Sequence, residues 1–324
     1  MCTAATYQTR DFYFGRTLDL NASYGEEVTV TPRNFPLHFR HMGVLEHHHA
    51  IIGMALVADG YPLYFDAVNE KGLAIAGLNF VGYAHYNRPV SGRNNIATFE
   101  LIPWLLGKCA SVAEAREALG QLNITTDPFS ESFPPSQLHW MLADRQEAIT
   151  VEAVREGLRV YDNPAGVLTN NPPFDRQLFR LNDYMGLSPR EPENRFAPAL
   201  DLKVYSHGMG AMGLPGDLSS PSRFVRAAFT RLNACSGSSE EESVSQFFHI
   251  LGTVEHSRGC SLWDKDTWEI TLYTCCCNAD KGIYYYTTYE NRQISAVHLH
   301  RENLESRELV RYPLITGQQI RHQN

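Results

Sequence analysis

A cysteine stands directly behind the first methionine, in Met1-Cys2-Thr3-Ala4-Ala5. If Met1 is removed, Cys2 becomes the N-terminal residue. One residue then carries a thiol, which is a nucleophile, and an α-amine with a reference pKa of about 7.7–8.0, which is a base poised near neutral pH. Activation of a nucleophile by an N-terminal amine is an established arrangement. By position alone the cysteine could equally be incidental, so the rest of the chain has to decide. Gly15-Arg16-Thr17-Leu18-Asp19 holds an arginine that would favour a thiolate and a carboxylate that could orient an amine. The same two residues could instead form a weak surface ion pair. Asn79, in Gly77-Leu78-Asn79-Phe80, and Asn170, in Val167-Leu168-Thr169-Asn170-Asn171-Pro172, end apolar runs. There an amide side chain or a backbone N–H can stabilise an oxyanion, although asparagine also serves commonly as a turn residue. Arg223, in Pro221-Ser222-Arg223-Phe224, falls in the first turn of a helix. Its charge opposes the helix dipole there, which favours a site role over a capping role.

These residues need strands and helices to bring them together. Residues 3–8 and 11–16 read as a hairpin beginning at Cys2. Further strands are expected at Val28–Thr31, Ile51–Val57, Leu63–Val68 and Leu73–Phe80, the last two flanking the turn Asn69-Glu70-Lys71-Gly72. Phe99, Ile102, Leu105, Leu106 and Cys109 share one helical face, and Ser111 with Glu114 forms a capping box for a second helix. Residues 121–136 read as loop. Leu138–Ala143, Ala148–Ala153 and Leu158–Tyr161 read as strands, and Phe174–Met185 as helix. Residues 186–222 form a long Gly/Pro-rich stretch, and a loop of that length in a compact domain is usually functional. Ser220 is the expected N-cap of a helix with Pro221 at its first position, and Ser239 with Glu242 caps another. The chain closes on strands at Thr267–Cys276, Gly282–Thr288 and Gln293–His298. Strands and helices come in groups rather than in strict alternation, which predicts α+β layers with antiparallel sheets, in one domain spanning 1–324.

Composition narrows the function. The 324 residues are 43% hydrophobic and 20% charged, with a net charge of −8. This acidic balance argues against nucleic acid as a partner, because that binding rests on basic phosphate contacts. No apolar run reaches the roughly 18 residues of a membrane span. The N-terminus has no basic-then-apolar leader, so the expected location is cytoplasmic, where loss of Met1 would expose Cys2 directly. Seven cysteines, an odd number without a C-x-x-C pair, point to reduced thiols rather than a disulfide scaffold.

Several segments, in order along nearly the whole chain, resemble the choloylglycine hydrolase family of N-terminal nucleophile hydrolases. They are Met-Cys-Thr at 1–3, Phe-Gly-Arg-x-x-Asp at 14–19, Pro-Arg-Asn-Phe at 32–35, Asn-Glu-Lys-Gly-Leu at 69–73, Ala-Gly-Leu-Asn-Phe at 76–80, Leu-His-Trp-Met at 138–141 and Leu-Thr-Asn at 168–170. Gly-Leu-Pro-Gly-Asp at 213–217, Ser-Arg-Phe at 222–224 and Gly-Ile-Tyr-Tyr-Tyr at 282–286 complete the set. That family contains conjugated bile salt hydrolases and penicillin V acylases. The resemblance implies a four-layer αββα sandwich with two antiparallel sheets between helical layers. It implies Cys2 as nucleophile on a mature chain that starts there, Arg16 and Asp19 supporting thiolate and amine, Asn79 and Asn170 building the oxyanion hole, and Arg223 bracing the site. It further implies substrate contacts from Leu18, Ala58, Phe65, Phe129 and Phe133, no metal or organic cofactor, and a homotetramer. Asn79 resembles the bile salt branch, whose substrate is a conjugated bile acid; many penicillin V acylases carry Tyr at this position. Penicillin V or another N-acyl amide is the alternative substrate.

A metal-binding or binding-only homologue is the reading from a different class. Its basis is His47-His48-His49 and Cys275-Cys276-Cys277. Adjacent strand residues alternate faces, so neither triplet presents three ligands to one ion, and neither has zinc spacing. A polar loop for the histidines and a core strand for the cysteines are the expected roles.

Overall fold

A computed structural model describes all 324 residues. Two antiparallel sheets face each other. The first runs, in spatial order, β14 (Val167–Leu168), β1 (Cys2–Gln8), β2 (Phe12–Leu20), β15 (Ile270–Asn278), β16 (Ile283–Thr288) and β17 (Ser295–His298). The second runs β13 (Gly157–Asp162), β12 (Ala148–Val154), β11 (Leu138–Ala143), β8 (Ala74–Asn79), β7 (Tyr61–Asn69), β6 (Ile51–Ala58), β3 (Glu27–Thr31) and β18 (Val310–Pro313). Two small pairs, β4 (Leu37–Phe39) with β5 (Gly43–Leu45) and β9 (Asn94–Ala97) with β10 (Leu122–Thr125), lie apart. Helices α4 (Ser220–Asn233) and α5 (Glu240–Gly252) cover the outer face of the first sheet. Helices α1 (Leu101–Lys108) and α2 (Val112–Leu119) cover the outer face of the second, and α3 (Phe174–Arg180) follows β14. The result is the expected αββα sandwich. One core joins the facing sheet surfaces and extends to Phe224, Phe247 and Ile250 of α4 and α5. The other packs Leu101, Leu105 and Val112 against Ile51, Ile75 and Val151. No helix is long and apolar enough to cross a membrane.

The sheets carry the site because β1 and β2 lie inside the first sheet, buried along nearly their whole length. Their hairpin is tight, and Cys2 pairs with Leu18. Gly15 permits the close approach of β2 to β15: a Cβ there would sit 2.0 Å from the Cys275 carbonyl oxygen. Cys275, Cys276 and Cys277 are buried along β15, in the core role expected of them. His48 is buried and bonds the Phe35 and His49 carbonyls, so the histidine triplet does not converge on one point.

Several boundaries differ from the sequence reading. The second strand of the hairpin runs on to Leu20, which places Arg16 and Asp19 within the strand. Leu122–Thr125 is a strand inside the expected 121–136 loop, because Leu122 and Ile124 bury against α1 and α2. The helix after Pro173 turns 3-10 at Leu181–Tyr184. Ser219, not Ser220, is the N-cap of α4, which puts Pro221 at the second helical position. The Ser239–Glu242 capping box forms as expected, whereas Ser111 accepts from Glu114 N but the Glu114 carboxylate turns to Ala110 N, so the expected box at 111–114 does not close. Within residues 186–219 the only regular element is a 3-10 turn at Met209–Ala211.

Candidate active site

Cys2 opens β1 and lines a cleft although its residue is only 2% exposed. Arg16, on β2, is fully buried beside it. Its Nη1 donates to the Gly77 carbonyl at 2.6 Å and the Phe65 carbonyl at 3.1 Å, while Nε donates to the Thr17 carbonyl. Nη2 has no partner within the protein. Burial opposes the Arg16 charge, but the facing Cys2, Tyr273, Asp66 and Cys275 hold the guanidinium's pKa above its ordinary value. Asp19, three residues on, accepts from Thr271 Oγ1 at 2.7 Å and from Thr17 Oγ1 at 3.2 Å. Burial raises its pKa against the attraction of Arg223 and the chain's terminal ammonium. That ammonium, on Met1, bonds the Asp19 carbonyl and the Glu269 carboxylate.

Asn170 and Arg223 close the floor from the other side. Cys2 N donates to Asn170 Oδ1 at 2.9 Å, and Arg223 Nη2 donates to the same oxygen at 2.7 Å. Arg223 Nη1 also donates to the Cys2 carbonyl at 2.6 Å and to Thr3 Oγ1 at 2.7 Å. The arginine is fully buried, and that burial lowers its pKa. From the first turn of α4 its guanidinium thus reaches Cys2, Thr3 and Asn170.

Asn79 ends β8 with its main chain turned toward the cleft. Phe80 N donates to the Gln137 carbonyl at 2.7 Å, so Phe80 and Gln137 form a hydrogen-bonded pair of the β8–β11 ladder. Antiparallel pairs alternate, so Asn79, opposite Leu138, points its N–H and C=O away from β11. On that side β7 pairs with β8 only as far as Ala76. The Asn79 carbonyl accepts from Asn170 Nδ2 at 2.9 Å, which leaves one Nδ2 hydrogen of Asn170 unassigned. All six residues singled out in the sequence therefore meet in one place.

Other members carried no local signal. Ser220 Oγ accepts from Asn170 N at 2.8 Å. His139 bridges Glu152 Oε1 and the Thr169 carbonyl, which fixes the segment that presents Asn170. Asp66 lies behind Arg16 and accepts from Tyr273 and Tyr284 hydroxyls, each at 2.6 Å; burial raises its pKa against Arg16. Asp66, Tyr273 and Tyr284, the last in Gly-Ile-Tyr-Tyr-Tyr, lie far apart in sequence, so only the fold relates them to Cys2.

The cleft has a volume of about 360 Å³ and Arg16 is its only charged lining residue. Leu18, Phe65, Phe129 and Phe133 line it as the resemblance implies. Ala58 does not. It ends β6 opposite Tyr61, beside the turn at Asp59-Gly60, and its methyl falls short of the rim; Leu56, two residues earlier on the same strand face, lines the cleft instead. Phe129 packs edge-on against Phe99 at 5.3 Å and against Phe133 at 6.2 Å. Arg40 Nη2 ties this loop down by donating to the Phe129 carbonyl at 2.6 Å.

The profile of the linear amide C–N hydrolases, choloylglycine hydrolase family, matches residues 2–312. The chain belongs to that family. Among its relatives, a bile salt hydrolase/transferase of Lactiplantibacillus plantarum is 56% identical over 314 residues, covering 97% of each chain. A mutant conjugated bile acid hydrolase from Clostridium perfringens has the same fold, with a TM-score of 0.92 and 37% identity over all of both chains. Penicillin V acylase from Agrobacterium tumefaciens shares the fold at a TM-score of 0.75 and 20% identity, over 97% of this chain and 92% of its own. As a choloylglycine hydrolase family member the protein is a hydrolase of linear amide bonds.

Proposed function

We propose that this chain hydrolyses conjugated bile acids at the amide that joins the steroid acyl group to glycine or taurine. Cys2, made N-terminal by removal of Met1, is the nucleophile. The observation that carries the reading is the position of Cys2 on the polar floor of an otherwise apolar cleft, between two buried arginines. The steroid lies along Leu18, Phe65, Phe129 and Phe133. The Cys2 sulfur, as thiolate, attacks the carbonyl carbon, and the carbonyl electron pair moves to oxygen. The Asn79 main-chain N–H and the second Nδ2–H of Asn170 are the donors for that oxyanion. The C–N bond breaks as the Cys2 α-ammonium gives its proton to the leaving nitrogen, and glycine or taurine departs from a thioester. Water then adds to the thioester while the α-amine takes a proton from it. The C–S bond breaks, thiolate returns, and the bile acid leaves and ionises.

Each supporting residue has a part. Asn170 Oδ1 and Asp19 orient the amine, Arg16 faces the thiolate, and Arg223 braces Cys2 and Asn170 together. Asn79 in place of Tyr and the 56% identical relative support the bile salt branch. We read the chain as one domain and as a cytoplasmic homotetramer. The free state of all seven cysteines supports the location. The exposed Phe196, Tyr205 and Met212 on the 186–219 excursion support assembly.

The test is a side-by-side assay on glycocholate, taurocholate and penicillin V, with intact mass of the same sample. The expected result is a protein lacking Met1 whose kcat/KM on the bile conjugates exceeds that on penicillin V. Absence of turnover of both conjugates by protein that lacks Met1 overturns the substrate reading.

A further inference from the structure

One buried group beside this centre has no part in the reaction above. The His256 side chain is completely buried, and neither ring nitrogen has a hydrogen-bond partner. Buried polar atoms without a partner in the protein are destabilising and rare. The ring lies between two carboxylates, with Nε2 3.9 Å from Asp19 Oδ2 and Nδ1 3.8 Å from Glu269 Oε2. Its main chain is pinned: His256 N donates to Thr271 Oγ1 at 2.8 Å, and its carbonyl accepts from Thr271 N at 3.1 Å. A second, polar cavity of about 270 Å³, bordered by Glu255, Thr271, Thr274 and Arg292, also borders His256.

The charged groups facing the ring come from every neighbouring element. They are Asp19 on β2, Glu269 leading into β15, Arg223 and Arg226 on α4, and the Met1 ammonium. Glu255, the preceding residue, is engaged with Arg292. While Met1 is present the ring is neutral: burial first, then Arg223, push its pKa down to about 4 against the pull of Glu269. Removal of Met1 takes away the ammonium that bonds Glu269. The new ammonium stands at Cys2 N, roughly 3.8 Å further along the chain, where Asn170 Oδ1 already accepts at 2.9 Å. Glu269, with its side chain 4% exposed, is left as a buried carboxylate without its cation, which is strongly unfavourable. His256 is the neighbouring group that can become one.

We propose that maturation hands Glu269 from the Met1 ammonium to His256, which takes a proton from solvent and, held between Glu269 and Asp19, becomes a positioning residue for the carboxylate that orients the Cys2 amine. The inference rests on the removal of Met1 proposed above. It is tested with histidine labelled by carbon-13 at Cε1, titrated by NMR in two samples of the full-length protein. One is processed, and the other retains Met1 through inhibition of methionine aminopeptidase; intact mass verifies each. The His256 resonance is assigned from H256Q or H256N. The expected protonation constant of His256 is at least about tenfold higher in the processed sample, and Glu269→Gln abolishes the difference. In the processed enzyme H256Q shifts the pH profile of kcat and leaves KM unchanged. An identical titration in both mass-verified samples overturns the handover while leaving the Cys2 mechanism standing. An unshifted pH profile in folded H256Q overturns the positioning role. Active protein that keeps Met1 overturns both readings together.

Discussion

The floor and the rim of the cleft are built on opposite principles. On the floor and directly beneath it, Arg16, Asp19, Asn170 and Arg223 are polar and buried, and their hydrogen bonds reach many separate stretches of chain, among them Cys2–Thr3, Phe65, Gly77–Asn79 and Thr271. On the rim, Phe65, Phe129 and Phe133 are partly exposed and packed against other aromatic rings, and one surface arginine ties the loop down. A buried polar group whose partner is removed loses its compensation outright, whereas an aromatic contact is lost by increments. The floor is therefore fixed by geometry, and on the proposed mechanism it is the part that sets the rate. The rim is adjustable and governs which acyl group is held.

Substitutions can break this division. Cys2→Ala removes the attacking atom and should lower kcat by at least about 10⁴-fold, measured as amine released from glycocholate, with the far-ultraviolet circular dichroism unchanged. Substantial turnover by the purified variant would place the nucleophile elsewhere. Asn170→Ala removes the partner of Cys2 N and of Arg223 together with an oxyanion donor. A loss of about 10²–10³ in kcat is expected, equal for bile conjugates and penicillin V, because the floor does not read the acyl group. Unequal losses would merge floor and rim. Phe129→Ala at the rim should raise KM for bile conjugates by about tenfold, in line with burial of one aromatic side chain, with kcat held. A fall in kcat without a change in KM would show that the rim also orients the carbonyl.

The smallest effect is a control outside both regions. Burial pushes the Glu70 carboxyl up, but Arg33 and the Ala50 N–H outweigh it and bring its pKa to about 2 from 4.5. A carboxyl depressed by folding contributes stability that is full above pH 4.5 and lost as the pH falls toward 2. Asp19 on the floor has the opposite sign, since burial raises its pKa and its protonation on acidification favours the fold. Denaturant unfolding of Glu70→Gln should show lower stability than the parent at pH 7 and a gap that narrows as the pH falls, with kcat at pH 7 unaltered. A gap that stays constant over that interval would mean that Arg33 does not depend on the Glu70 charge.

The floor was legible in the sequence because each of its residues sits in a short run that also sets local structure. Arg16 and Asp19 lie in a strand that pairs with the strand of Cys2, and Asn79 and Asn170 end strands. The rim was only partly legible. Ala58 is expected there, but Leu56, two residues earlier on the same strand face, lines the cleft instead, and how far along a strand a cleft reaches is not written in one residue's type. β18 went unread because its Val310-Arg311-Tyr312-Pro313 is half polar and serves as an edge strand. Glu269 and His256 had no motif at all. Their meaning arises only when the segment before β15 is laid beside the start of β1.

That last juxtaposition sets a clock. The group that grips the Met1 ammonium is Glu269, near the far end of the chain. During synthesis the N-terminus has at most the Asp19 carbonyl to hold it until that glutamate has been made. At about 5–20 residues per second this amounts to roughly 15–50 s. On the proposed maturation, a chain trimmed within that interval folds with Glu269 and His256 already facing each other, whereas a chain trimmed later passes first through the Met1-bound arrangement; both routes end at the same pairing.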